Sequence, residues 1–281
     1  MVDGSLLTLS DVLGWVRAPK PSDDKYSRGV AGFFTGSEQY PGAARLGVEA
    51  ALHTGVGMVR YRGPSSLAEQ LISHRPEVVK TPGHVSSLVV GSGWPQLSAD
   101  EAARLTSSFD GSESVPVVLD AGALPHASLF QGPRVLTPHH REMVRLCSLS
   151  HRHDFAEECA IQRARDGGVV VLLKGHHTVV VTPQGVAYRL PPATPWLATA
   201  GTGDVLAGIL GALLAAPTES PRSLEEVAKV AGLAALIHQE AAHRLSRQFG
   251  AGVPGPFTAL ELARSVGPVV ASLAQPAPSE D

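Results

Sequence analysis

From Val205 to Ala216 the chain carries no charged residue, and a helix without a polar face has to be buried on all sides. The segment that feeds it narrows the possibilities further. Ala198-Thr199-Ala200-Gly201-Thr202-Gly203-Asp204 is a turn of small residues that ends in a carboxylate. Gly201 and Gly203 reach backbone dihedrals closed to other residues, so successive N–H groups can converge on one anion, and the positive end of the helix adds to them. The pattern points to chemistry on a phosphate. A carboxylate in the first helical turn suits the helix dipole, yet beside a phosphate it repels the ligand unless it has a proton to remove. Asp204 therefore reads as a general base. The competing reading, an ordinary helix cap, fits a surface helix, whereas this helix begins inside the protein.

At 281 residues, 43% hydrophobic and 17% charged, the chain is long enough for one large core or two small ones and too apolar for general disorder. The expectation is one domain over residues 1–281, with an N-terminal arm to about residue 24 and a frayed tail at 275–281. The 23 basic and 26 acidic residues are balanced and form no Lys/Arg block, which argues against nucleic acid or an anionic membrane as partner. Cys147 and Cys159 fall in predicted helices without metal-ligand spacing, so reduced thiols in a cytoplasmic protein are expected. The N-terminus lacks a secretory pattern, and the longest uncharged apolar run falls short of the roughly 20 residues that span a bilayer. Among the 12 histidines no pair has the helical spacing of a zinc protease. His139-His140 and His176-His177 are neighbours that point different ways.

Apolar runs rich in β-branched residues alternate with helical stretches, as in an α/β protein with a mainly parallel sheet. Strands are predicted at 30–35, 58–61, 87–90, 115–119, 134–137 and 169–174. Helices are predicted at 43–53, 99–107, 140–147, 154–165, 204–214, 224–249 and 259–273. The runs 178–182 and 186–189, joined by Pro183-Gln184-Gly185, read as an antiparallel hairpin at one end of the sheet. Pro- and Gly-rich pieces at 17–22, 250–256 and 275–281 are an arm, a loop and a tail. No internal repeat is present.

In an open α/β sheet ligands bind outside the carboxyl ends of the strands. After the first strand, Pro41 can start a helix while Gly42-Ala43 either admit a ligand to the backbone or serve tight helix–sheet packing. Gly91-Ser92-Gly93 makes a tight turn or clears space for a flat ring or pyrophosphate. Asp120, at the next strand tip, holds a metal-bound water or caps a turn, and a supporting role is expected. His139 and Glu142 share one face of a helix start, with Glu142 as half of a capping box or His139 at a ligand. Lys174, one of only five lysines, suits a phosphate or adenine-ribose contact, against the alternative of a snorkelling edge side chain.

In order, Gly36-Ser37 with Tyr40 to Ala44, Gly91-Ser92-Gly93, Leu119-Asp120-Ala121, Leu136 to His139 with Glu142, Leu173-Lys174-Gly175 with Thr178, and Ala200 to Asp204 resemble the blocks of ADP-dependent NAD(P)H-hydrate dehydratases. The likeness runs from about Lys25 to Leu273. The Gly-Thr-Gly-Asp turn alone would mark only the wider ribokinase-like group. The resemblance implies an α/β, ribokinase-like three-layer sandwich whose mainly parallel central sheet is flanked by helices. It also implies a repair enzyme that removes water added across a nicotinamide ring, driven by ADP, with release of AMP and phosphate. Ala43, Gly91, Gly93 and His139 would then touch the hydrated dinucleotide, NADHX or NADPHX. Lys174, Gly175, His176, His177, Thr178 and Gly203 would hold the adenine nucleotide. Asp204 would meet the reacting hydroxyl, while the Gly201, Thr202 and Gly203 amides and Mg²⁺ absorb developing charge. Self-association as a tetramer is a further implication. The chain departs from the family's usual residues at His140-Arg141, in place of Pro-Gly, and at Thr194-Pro195-Trp196-Leu197, in place of an Asn-rich lead. A kinase for a vitamin-type alcohol (hydroxymethylpyrimidine, hydroxyethylthiazole or pyridoxal) keeps the same fold, and a non-catalytic nucleotide-binding protein is the alternative from another class.

Overall fold

The computed structural model describes residues 4–16, 18–95, 98, 100, 114–147, 155–218, 220–248 and 253–274. Most of the helix expected at 99–107, part of the loop at 250–256 and the tail at 275–281 lie outside the described residues. The described strands form one nine-stranded sheet. They are β1 (Ser5–Leu6), β2 (Val30–Phe34), β3 (Met58–Tyr61), β4 (Ser87–Val90), β5 (Val117–Leu119), β6 (Arg134–Leu136), β7 (Val170–Leu173), β8 (Val179–Val181) and β9 (Ala187–Arg189). Their spatial order is β1-β9-β8-β7-β6-β5-β4-β2-β3, parallel throughout except where β8 runs against β7 and β9.

Side chains alternate along each strand between two cores, as the two-residue period of a strand requires. Ala31, Phe33, Val89, Val118, Val135 and Leu172 enter one core, and Val30, Phe34, Val90, Leu119, Leu136 and Leu173 enter the other. The first core is covered by α1 (Pro41–Thr54), α2 (Ser65–His74), α5 (Thr202–Ala215), α6 (Leu224–Arg247) and α7 (Ala259–Leu273). The second is covered by α3 (His140–Leu146), α4 (Ala156–Gly167) and a 3₁₀ segment at Ala121–Leu129. Helices on both faces explain why the strands read as continuous apolar runs.

The expected strands are present but shorter. β5 begins at Val117, because Pro116 has no N–H to give to a ladder. Thr35, Thr137 and Lys174 fall just past their strands and so stand at the carboxyl edge of the sheet. The β8–β9 hairpin is not the end of the sheet: Ser5–Leu6 pairs parallel with β9 outside it. The N-terminal segment carries that strand and a 3₁₀ helix at Leu9–Trp15, and Leu7, Val12 and Val16 enter the core. Helix α2 was not legible in the sequence. It buries only Leu67, Ala68 and Leu71, a stripe too narrow to stand out.

The chain enters the parallel region at β2, moves out to β3, then crosses back to β4 and continues away through β5, β6 and β7. Such a reversal opens a crevice at the carboxyl ends of the two strands beside it. Helix α5 lies under this crevice with every residue from Val205 to Ala215 buried. It crosses α1 backbone to backbone, since a Cβ on Gly208 would land on the Gly47 carbonyl oxygen. Gly208→Ala is therefore expected to lower unfolding free energy by about 1–3 kcal/mol through overpacking. Urea unfolding measures it, and an unchanged midpoint would show that the crossing is slack.

Candidate active site

The loops around the crevice clasp each other. Gly36 N–H donates to the Ser92 carbonyl at 2.7 Å, and Ser37 Oγ donates to the Gly93 carbonyl at 2.7 Å. Gly93, at φ 77°, lies so close to α1 that a Cβ there would stand 2.6 Å from Ala43 Cβ. One step along the sheet, Asp120 follows β5 with a side chain only 4% exposed. Its oxygens accept from Ser92 Oγ (2.9 Å), Thr137 Oγ1 (2.8 Å) and Lys174 Nζ (2.8 Å). Burial pushes this carboxyl up, but Lys174, Thr137 and Ser92 outweigh it and hold it below the ordinary value. Lys174 is the mirror case: burial would lower it, and Asp120, Glu142 and Asp204 hold it above its usual value. The supporting role expected of Asp120 thus has a geometry, an ion pair under the crevice.

Lys174 leaves β7 with its N–H donating to the Pro138 carbonyl at 2.8 Å, which sets it beside His139. His139 caps α3: its Nδ1 accepts from the Glu142 N–H at 3.2 Å, while Glu142 Oε2 accepts from the His139 N–H at 2.8 Å. The capping-box reading of Glu142 is met, and its partner in the box is His139 itself. His140 sets its Nδ1 3.2 Å from the Lys174 carbonyl and packs over Gly175.

Gly201 begins α5 in the left-handed region, at φ 92°, which favours glycine. Thr202 Oγ1 ties the turn down by donating to the Leu197 and Thr199 carbonyls, both at 2.9 Å. A Cβ on Gly203 would stand 3.3 Å from Lys174 Nζ, so the glycine lets the ammonium reach the helix N-terminus. Asp204 follows, part-buried, and its carboxylate makes no hydrogen bond among the described residues. It is not a cap. Burial, reinforced by the charge of Asp120 and opposed by Lys174, pushes its pKa up to about 7.

A cavity of about 420 Å³ opens beside this turn. His139, Lys174, Gly175, His176 and Thr178 line one side, Thr202 and Gly203 stand at the helix end, and Ala235, His238 and Gln239 of α6 form the back. His238 Nε2 lies 2.9 Å from the Thr202 carbonyl, and burial lowers its pKa to about 4. The ring is neutral near pH 7, and Nε2–H is the donor to that carbonyl.

A base with this pKa sets a pH dependence. Below about 7 Asp204 is protonated and cannot accept, so kcat/KM of the free enzyme is expected to rise through that pH and level off above it. Asp120→Asn removes a negative neighbour and frees Lys174, and both effects move the rising limb to lower pH. A profile flat from pH 5 to 8 would contradict the assignment.

Residues 31–262 match the family described as NAD(P)H-hydrate dehydratase. The chain belongs to that family. A bifunctional NAD(P)H-hydrate repair enzyme Nnr from Mycobacterium tuberculosis is 42% identical over 218 residues, covering 73% of this chain and 45% of the relative. The chain spans about half the length of the curated relatives it matches. In fold it is similar to an ADP/ATP-dependent NAD(P)H-hydrate dehydratase from Bacillus subtilis, co-crystallized with ATP/Mg²⁺, with TM-score 0.80 and 24% identity over 97% of this chain and all of that one. It is also similar to a ribokinase-like superfamily protein from Enterococcus faecalis V583, with TM-score 0.79 and 20% identity over 97% of each chain. The three-layer sandwich is ribokinase-like. No helix among the described residues is long and apolar enough to cross a membrane.

Of the residues this family resemblance marked, His139, Lys174, Gly175, His176, Thr178, Thr202 and Gly203 share the one cavity, with Asp204 next to them in the chain. Ala43 and Gly93 meet at the crevice. Gly91 and His177 do not line that cavity. Gly91 is buried, and a Cβ there would strike the Asp120 carbonyl and Ala123, so packing by itself requires a glycine here. His177 is off the cavity wall, edge-on to the His176 ring with centroids 4.7 Å apart; adjacent residues of an irregular turn point different ways. His238 and Gln239 were missed. They close the buried run 230–239 of α6, and nothing local in the sequence tells a cavity wall from core there.

Proposed function

We propose that the chain catalyses the ADP-dependent dehydration of NADHX and NADPHX to NADH and NADPH, releasing AMP and phosphate. The observation that carries this reading is Asp204: an unpaired, part-buried carboxylate with a pKa near neutrality, beside Lys174 at a helix N-terminus. Asp204 takes the proton from the ring hydroxyl as that oxygen attacks the terminal phosphoryl of ADP; an O–P bond forms and the bridging P–O bond to AMP breaks. The Gly201–Gly203 amides and Lys174 lie where charge develops. Hydroxide leaves poorly and phosphate leaves well, so the lone pair of the ring nitrogen then expels phosphate, and loss of a neighbouring ring proton restores the double bond.

The described residues contain no cluster of three or more metal-ligating side chains, and Asp120 is occupied by Lys174. Mg²⁺ would therefore enter with the nucleotide, since this ion keeps several waters and binds through substrate phosphates rather than an all-protein cage. When bound it neutralises charge on the phosphates. Self-association as a tetramer and action in the cytoplasm belong to the same proposal, and light scattering measures the first.

The test is incubation with NADHX, ADP and Mg²⁺ while following reduced-nicotinamide absorbance and phosphate release. Recovery of both together is expected. A stable phosphorylated alcohol without phosphate would instead make the chain a kinase, and tight ADP binding without turnover would make it a non-catalytic binder.

A further inference from the structure

We infer that a second cavity beside the reactive cluster binds a phosphoryl group of the dinucleotide substrate; the inference rests on the function proposed above. Its volume is about 500 Å³, and its walls include Trp94, Ala121, Gly122, Glu142, Arg145 and Arg163. Three loops link it to the reactive centre. Gly93 packs on Ala43 while Trp94 lines the cavity, Asp120 holds Lys174 while Ala121 and Gly122 line it, and His139 faces the first cavity while Glu142 faces the second. A molecule that reaches Ala43 and Gly93 is therefore one residue away from this space.

Two guanidinium groups on this wall, those of Arg145 and Arg163, have no anionic partner among the described residues. The one carboxylate on the wall, Glu142, is already engaged, accepting from the His139 N–H at 2.8 Å and standing 4.0 Å from Lys174 Nζ. Two guanidinium groups, donors only, match the acceptor-only surface of a phosphoryl group. A pyridine dinucleotide needs such a partner of its own, because Lys174 is bound to Asp120 and stands on the wall of the first cavity. Ala121, on the same wall, is the only non-glycine with positive φ (44°) among the described residues, a local strain of the kind that gathers at ligand sites.

The dinucleotide offers two sources of phosphoryl oxygen, the pyrophosphate bridge and the 2′-phosphate of NADPHX. Arg163→Gln and Arg145→Gln separate them, and Arg145 is exposed, so its variant leaves folding untouched. Each is expected to raise KM on the order of tenfold, the loss of one charge-assisted contact, with kcat within about twofold. A rise for NADHX and NADPHX alike assigns the pyrophosphate; a rise for NADPHX alone assigns the 2′-phosphate. Titration calorimetry with NADH and NADPH reads the same subsite without turnover, so the inference stays testable if the parent proves inactive on both hydrates and the proposed function fails. Unchanged KM and unchanged dinucleotide affinity in both variants would overturn it. So would thermal stabilisation by inorganic phosphate that is lost in Arg163→Gln while KM stays put, because the cavity would then hold a free anion and not the substrate.

Discussion

Asp204→Asn is expected to cut turnover by about 10²–10⁴-fold, the usual worth of one general base, while ADP affinity stays near that of the parent. Asn keeps the shape and cannot take the proton, and Asp204 itself is not on the wall where the nucleotide would sit. The same substitution carries a stability signature that a merely structural aspartate would not give. The folded-state pKa of about 7 lies above the ordinary 3.8, so between those values the folded chain binds more protons than the unfolded one. Stability from this group is present below about pH 4 and is lost as pH rises through about 7. The asparagine variant lacks that loss. At pH 8 its melting temperature should match or exceed the parent's, by about 2–4 °C for each kcal/mol of relief, and at pH 5 the gap should shrink. Near-parental turnover would remove Asp204 from the mechanism, whatever the melting curves show.

Lys174→Met is expected to damage fold and function together. It strips the partner from Asp120, whose side chain is 4% exposed, and breaking a buried pair from one side costs about 3–5 kcal/mol. It also takes a cation off the wall of the cavity, and one charge-assisted contact of about 1.5–3 kcal/mol corresponds to roughly 10- to 100-fold in ADP affinity. The double variant Lys174→Met/Asp120→Asn separates the two effects. An amide at position 120 still accepts from Ser92 and Thr137 without leaving a buried charge, so stability should return while ADP affinity does not. Chemical denaturation and calorimetry on the two variants make the comparison. If affinity returned along with stability, the lysine would be a strut for Asp120 and nothing more.

The legible part of the site was the part written in contiguous residues. The turn at Gly201–Asp204 announced itself because it needs glycine for its backbone and because the helix behind it has no charge. Lys174 stood out for being rare and at a strand tip. Asp120 drew only a supporting role, since nothing in its neighbours shows that Ser92, Thr137 and Lys174, from three other loops, converge on it. His238 and Gln239 lie more than thirty residues past the turn they back, so only the packing of α6 against α5 reveals them. Gly91 and His177 lie off the cavity wall for a related reason: a motif marks a segment, not which way each member of it faces.

Residue order alone determined the layered α/β architecture, since β-branched runs that alternate with helical stretches have few ways to bury both faces of a sheet. It also marked the turn that we propose for phosphate chemistry, through glycines that a tight turn requires. The tertiary structure decided what Asp204 is. An isolated Asp titrates near 3.8, and it is burial next to Asp120 that moves this one to about 7. That environment is assembled from strand ends far apart in the chain, because electrostatics depends on distance through space and no local pattern encodes it.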